Sequence, residues 1–252
     1  EATVRHILRP VKEALLWLPW LGVLAGFVAA AALLAGARLA LATALLLGFI
    51  AGTGYWEPAM VSLYLVLVAV GIAMILGVPV GILAGLRPGL RGPVTLAIDT
   101  LQTLPTFVYL IPVVMLFGLG DFPALIAIVA YALPVAVRYA MDGILSVPPT
   151  QTEAADMVGC SPWQRLVHVQ LPQALPMILL GLSQTVLMAF GMLVITALVG
   201  TRGLEQETLV AVSKAKVGEG LIAGLGISFL SILVDRLMTA TSMRLRGWVG
   251  QA

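Results

Sequence analysis

Residues 59–84 read AMVSLYLVLVAVGIAMILGVPVGILA, a stretch without one charged side chain. A helix needs about 20 apolar residues to cross the hydrocarbon layer of a bilayer. No water there pairs with open backbone N–H and C=O groups, so a spanning stretch of this kind closes its hydrogen bonds within a helix. Gly77, Gly81 and Gly85 recur at four-residue spacing on one face of that helix. Such a face lets a second backbone come close.

The rest of the chain repeats the pattern. It is 60% hydrophobic and only 10% charged, with mean hydropathy +1.06; soluble domains carry about 25% charged residues. Apolar runs fall at roughly 20–36, 39–56, 59–84, 94–118, 122–140, 173–200 and 220–241. The expected fold is all-α: a polytopic membrane protein of about seven transmembrane helices with a cytoplasmic two-helix loop. The runs within 20–56 are Ala/Leu-rich and read as peripheral, lipid-facing helices. The core is expected over 59–241, with the polar loop at 142–172 and a C-terminal tail at 242–252. Pro79, Pro105, Pro112 and Pro134 mark helices packed on protein or lining a path. In residues 1–19, Arg5, Arg9 and Lys12 alternate with Ile7, Leu8, Leu15 and Trp17, as in an interfacial amphipathic segment.

Charge suggests orientation and excludes functions. In a seven-span arrangement Arg38, Arg87, Arg91, Arg165, Arg244 and Arg246 fall on one side. The positive-inside rule makes that side cytoplasmic, with the N-terminus outside and the C-terminus inside. A net charge of +2 argues against a nucleic-acid partner. The single Cys160 excludes a disulfide within the chain and a cysteine-cluster metal site. Lys12, Lys214 and Lys216 do not follow glycine, so there is no P-loop, and there is no HExxH or GxSxG. No catalytic, cofactor or metal constellation is expected, and the chain is not expected to be an enzyme.

The polar stretch 152–176, TEAADMVGCSPWQRLVHVQLPQALP, interrupts the apolar runs. Thr150 with Glu153 has the spacing of a capping box, and Ser161 with Gln164 repeats it, with Pro162 at the first helical position. Gly159 suits a left-handed turn between them. Two short helices around a glycine corner are marginal alone and need a surface to pack against.

Glu153-Ala154-Ala155, then Gly159, then Val169-x-Leu171-Pro172 resembles the EAA signature of ATP-binding-cassette importer permeases, with Val169 where Ile is common. Residues 101–123, 171–195 and 232–237 resemble the glycine betaine/proline betaine permease subfamily; Gly200-Thr201-Arg202-Gly203-Leu204-Glu205 departs from its more Gly/Ala-rich run. The resemblance implies that Glu153, Ala154, Ala155, Gly159, Ser161, Leu171 and Pro172 belong to a loop coupled to a separate ATPase. It also implies a homodimer in a bacterial inner membrane, two ATPase subunits holding ATP and Mg²⁺, and an extracytoplasmic binding protein. Within the outer connection at 203–219, Glu205 and Glu207 are candidate contacts for that protein.

A quaternary amine has no N–H to donate and is met by aromatic faces and oxygen dipoles. Gln102, Thr103, Pro105, Phe107, Tyr109, Ser183 and Gln184 are therefore candidate path residues, with interhelical bonding as the competing role. Choline, proline betaine, carnitine and trimethylamine N-oxide are substrates of the same class. The alternatives are a permease for amino acids such as methionine and an ATP-independent secondary transporter; the scarcity of central acids argues against the latter.

Overall fold

The computed structural model describes residues 19–249, with side-chain surroundings through Arg244. The amphipathic segment expected over residues 1–19 lies outside them apart from Pro19. The described residues form helices and connections, without a strand.

The first two apolar runs are α1, Trp20–Ala35, and α2, Ala37–Gly52, each of 16 residues. At 1.5 Å per residue each covers only about 24 Å. Gly36 joins them at φ +81°. Trp20 shares one cavity with Gly48, Gly52 and Trp56, and Leu34 shares another with Leu39 and Arg244. The two helices therefore fold back on each other as a hairpin with the Gly36 corner beside Arg244.

The next helices are α3, Trp56–Leu86, and α6, Asp121–Leu145. They run parallel. The Tyr64 hydroxyl donates to Asp121 Oδ2 near one end, and the three glycines meet successive turns of α6 towards the other. A Cβ on Gly77 would lie 2.8 Å from Ala136 Cβ, one on Gly81 2.3 Å from the Val137 carbonyl oxygen, and one on Gly85 2.8 Å from Ile144 Cβ. The helices approach so closely that no side chain fits between them.

Two parallel helices need a return crossing. It is supplied by α4, Pro88–Thr103, and α5, Thr106–Phe117, bent by 90° at the Leu104-Pro105 break. The fourth apolar run is thus a broken pair rather than one straight span. Beyond the loop, α9, Leu171–Thr196, returns antiparallel to α6, with Gly143 against Ala174 and Gly181 against Tyr139. After α10, Leu204–Ser213, the last helix α11, Val217–Val249, runs antiparallel to α9, with Ser183 Oγ 3.4 Å from Thr239 Oγ1.

All seven apolar runs are helical. By length and composition four of the resulting helices can cross a membrane, or five with the bent pair counted as one span. The other two are the short helices of the hairpin. Residues 242–249, expected as a tail, extend α11. In α11, Gly220 and Gly224 stand at the same four-residue spacing as the α3 glycines but form no such contact stripe: a Cβ on Gly220 would meet Ala211 at 3.4 Å, and one on Gly224 nothing within 4 Å. These helix directions put Arg38, Arg87, Arg91, Arg165 and Arg244 at one end of the bundle. Trp20 and Trp56 lie at the other.

Candidate functional site

The loop between α6 and α9 consists of α7, Pro149–Met157, and α8, Pro162–Arg165, followed by a π-helical turn at Leu166–Gln170. The first capping box is not formed. The helix starts two residues early, because Pro149 has the fixed φ and missing N–H that suit a first helical position. Pro148 is the cap, Thr150 is helical, and the Thr152 hydroxyl donates to the Pro149 carbonyl at 2.8 Å. Glu153 and Ala154 are exposed while Ala155 turns inward.

Gly159 ends α7 at φ +83°. The Cys160 N–H donates to the Ala155 carbonyl and the Gly159 N–H to the Asp156 carbonyl, both at 3.0 Å; this is the paired bonding of a Schellman corner. The second capping box is present: the Ser161 N–H donates to Gln164 Oε1 at 2.8 Å and the Gln164 N–H to Ser161 Oγ at 3.3 Å. Arg165 Nη1 bridges the corner to both carboxylate oxygens of Asp156 at 2.7 Å. Pro172 has no N–H to return to the His168 carbonyl, and the widened turn lies just before it, with the Leu171 N–H reaching the Leu166 carbonyl.

Local bonding fixes the shape of this corner and leaves its apolar tip uncovered. Met157 is 90% exposed, Val158 84% and Trp163 71%. Sequence reasoning named the corner but missed Trp163 as part of its face. The signal was available, since Trp163 and Gln164 follow the Ser161-Pro162 cap.

The path candidates separate. Pro105 forms the 90° break. Tyr109 is buried, its hydroxyl donates to the Leu101 carbonyl, and its ring packs edge-on against Tyr131 with centroids 5.8 Å apart. Phe107 is 50% exposed. The Gln102 side-chain oxygen accepts from Arg138 Nη2 at 3.1 Å, and the same guanidinium pairs with Asp99. The pair joins α6 to α4, although Asp142 stands one turn along from Arg138 within α6. Thr103 bonds back to the Thr100 carbonyl at 2.9 Å. Ser183 is buried near Thr239, and Gln184 beside it is half-buried.

At the opposite end, Glu205 is only 1% exposed. It therefore offers no surface to a docking protein, contrary to expectation. Its carboxylate is enclosed because α10 begins against α3, where Ser62 donates to Oε2 at 2.6 Å. Burial raises its pKa, partly offset by hydrogen bonds from Ser62, Thr201 and backbone N–H groups. Glu207 is half-buried. Ser62 was also missed; it is one of the few polar residues in the run that opened the sequence analysis.

Residues 77–247 match the family described as "Binding-protein-dependent transport system inner membrane component". The chain is 38% identical over 232 residues to the trimethylamine N-oxide transport system permease protein TmoV of Ruegeria pomeroyi, covering 92% of this chain and 35% of that protein. It is 37% identical over 237 residues to the glycine betaine/proline betaine transport system permease protein ProW of Escherichia coli, covering 94% and 67%. It is 41% identical over 184 residues to the glycine betaine transport system permease protein OpuAB of Bacillus subtilis, covering 73% and 65%. The chain thus spans about a third of the first relative and about two thirds of the other two. Its fold is similar to that in an inward-facing structure of the MetNI methionine ABC transporter, with TM-score 0.65 and 22% identity over 77% of this chain and 95% of that one.

Proposed function

The chain belongs to the family of binding-protein-dependent transport system inner membrane components, and from that membership we propose that it is the permease subunit of an ATP-driven importer for glycine betaine, trimethylamine N-oxide or a related quaternary or methylated amine. The observation that carries this reading is the fixed corner at Gly159, whose apolar face of Met157, Val158 and Trp163 is left uncovered. It is built to enter a groove on another protein.

In this reading two copies of the chain form the pathway, and two ATPase subunits hold ATP and Mg²⁺ on the arginine-bearing, cytoplasmic side. An extracytoplasmic binding protein delivers substrate at the tryptophan-bearing side. The N-terminus is outside and the C-terminus inside. Glu153, Ala154, Ala155, Gly159 and Ser161 shape the docking corner. Leu171 and Pro172 pass its movement directly into α9, and α6 enters the loop from the other side. Glycine-packed α3 follows α6 as one body. ATP-driven closure of the ATPases thereby turns the two copies towards the outer side, and hydrolysis resets them. The break at Pro105, with Gln102, Thr103 and Phe107 exposed around it and Ser183 and Gln184 on α9, supplies the oxygen dipoles and the aromatic face a quaternary amine requires. Glu207 remains the candidate contact for the binding protein.

The test is purification of the native complex from membranes. An ATPase subunit should co-purify, and glycine betaine, trimethylamine N-oxide or choline should stimulate its turnover when presented with the binding protein. Stimulation by methionine alone would overturn the substrate class, and a chain that transports without any ATPase would overturn the whole reading.

A further inference from the structure

At the arginine-bearing end of the bundle, the α1–α2 hairpin and α11 line an open cavity of about 400 Å³ between them. Leu34 and Leu39 form the hairpin wall, Met243 lies on the α11 wall, and Arg236 and Arg244 stand on the same side as Met243. Among the described residues no acidic side chain lines it, and neither guanidinium has a carboxylate within ion-pair distance. Arg244 Nε donates to the Leu34 carbonyl at 2.9 Å, in the last turn of α1. That bond orients the guanidinium and leaves its two Nη groups to donate elsewhere.

The cavity therefore combines apolar walls with two cationic forks that lack a counter-charge, at the level where a bilayer's headgroups lie. We propose that it binds an anionic phospholipid, with the phosphate between Arg236 and Arg244 and an acyl chain along Leu34, Leu39 and Met243. Guanidinium groups match phosphate oxygens two at a time. Basic pockets between membrane helices hold anionic headgroups by the same means. A soluble phosphate satisfies the arginines but leaves the apolar walls wet, so the site favours the lipid. The bound lipid fastens the short hairpin to α11, where only a modest helix contact holds it. The inference needs the chain to lie in a bilayer and does not depend on which solute is carried.

The experiment is native mass spectrometry of the full chain released from nanodiscs of phosphatidylcholine with phosphatidylglycerol. The wild-type chain is expected to retain phosphatidylglycerol, with retention falling about fivefold for each arginine removed in Arg236→Gln and Arg244→Gln. Arg87→Gln, which removes a charge at the same level away from the cavity, leaves retention unchanged, and Arg236→Lys keeps most of it. Arg244→Gln also removes the bond to Leu34, so Arg236→Gln alone decides the matter if Arg244→Gln loosens the hairpin. Equal retention by wild type and Arg236→Gln overturns the proposal. Competition by soluble glycerol phosphate as effective as by lipid overturns it too, since the walls would then contribute nothing. So does an Arg236→Gln chain that keeps its lipid and loses an ATPase subunit, which assigns the arginines to a protein contact.

Discussion

The Ser62 hydroxyl lies 2.6 Å from Glu205 Oε2 and accepts the Leu204 N–H at 2.8 Å, so one side chain of α3 fastens the start of α10. The seat is tight. A Cβ on Gly203 would lie 2.4 Å from both Glu205 Oε2 and Ser62 Oγ. Tyr64 and Asp121, bonded to each other, occupy the same end of the bundle.

This seat gives stability a defined pH dependence. Burial raises the Glu205 pKa above its ordinary value of 4.5. The folded chain therefore holds the proton to higher pH than the unfolded chain. The stability that goes with the protonated carboxyl is complete below the unfolded pKa and is lost as pH rises through the folded one. Detergent-solubilised protein should lose Tm with rising pH from about 4.5. Glu205→Gln, which keeps the shape without the ionisation, should flatten that part of the profile. A Glu205→Gln profile parallel to the wild type would assign the dependence to another group.

The glycine face of α3 makes a steric prediction. Gly81 faces the Val137 carbonyl oxygen at 2.3 Å from an ideal Cβ, a backbone atom that no rotamer change can move aside. Gly81→Val should cost about 1–3 kcal/mol or more through overpacking, read as a fall in Tm and in the folded fraction. Gly71, also in α3, has nothing within 4 Å of its Cβ position. Gly71→Ala should be neutral or raise stability by up to about 1 kcal/mol. Equal losses at both positions would mean that the close approach of α3 and α6 is not what the glycines serve.

The contrast between these two glycines shows what was legible in the sequence. A four-residue repeat in an uncharged run marks a contact face, and α3 bears that out. The same spacing at Gly220 and Gly224 does not, because nothing in the sequence says whether a backbone or only side chains lie opposite. Apolar runs announced every membrane helix but not its length in the fold. The Gly36 corner made a hairpin of two short helices, and Pro105, read as the mark of a helix packed on protein or lining a path, proved to be a right-angle break. In the loop, Gly159 and the Ser161–Gln164 box follow from local bonding, which adjacent residues contain in full. The burial of Glu205 rests on Ser62, 143 positions away, and no local pattern encodes that meeting.

The corner at Gly159 separates shape from contact. A Cβ there would meet nothing within 4 Å, yet φ is +83°. Gly159→Val should thus strain only the corner, by about 1–2 kcal/mol, and leave the bundle folded. Coupling should suffer instead: ATP hydrolysis continues while uptake falls. Wild-type uptake at equal membrane abundance would remove the corner from the coupling mechanism.

Met157 and Trp163 test the contact itself. Both are largely exposed, so neither contributes much to the fold of the single chain. If they enter a groove, removing either forfeits about 1.5–3 kcal/mol of burial. Met157→Ala and Trp163→Ala should each weaken ATPase association by tenfold or more while leaving Tm of the isolated chain within about 1 °C. The measurement is titration of the ATPase subunit onto reconstituted permease. Unchanged affinity in both variants would place the docking surface elsewhere.

Tyr109 distinguishes a brace from a path residue. Pro105 has no N–H to give the Leu101 carbonyl one turn back. Leu104 reaches that oxygen at 3.3 Å, and the Tyr109 hydroxyl supplies a second donor across the break. Its ring stands edge-on to Tyr131, at 85°. Tyr109→Phe keeps the ring contact and deletes the donor, so it should cost about 1 kcal/mol and lower Tm with little change in the KM for the amine. Tyr109→Leu loses the ring contact as well and should cost about 0.5–1.5 kcal/mol more. The opposite split, with Tm unchanged in Tyr109→Phe and KM raised, would mean that the hydroxyl meets the substrate and that the bond to Leu101 breaks during transport.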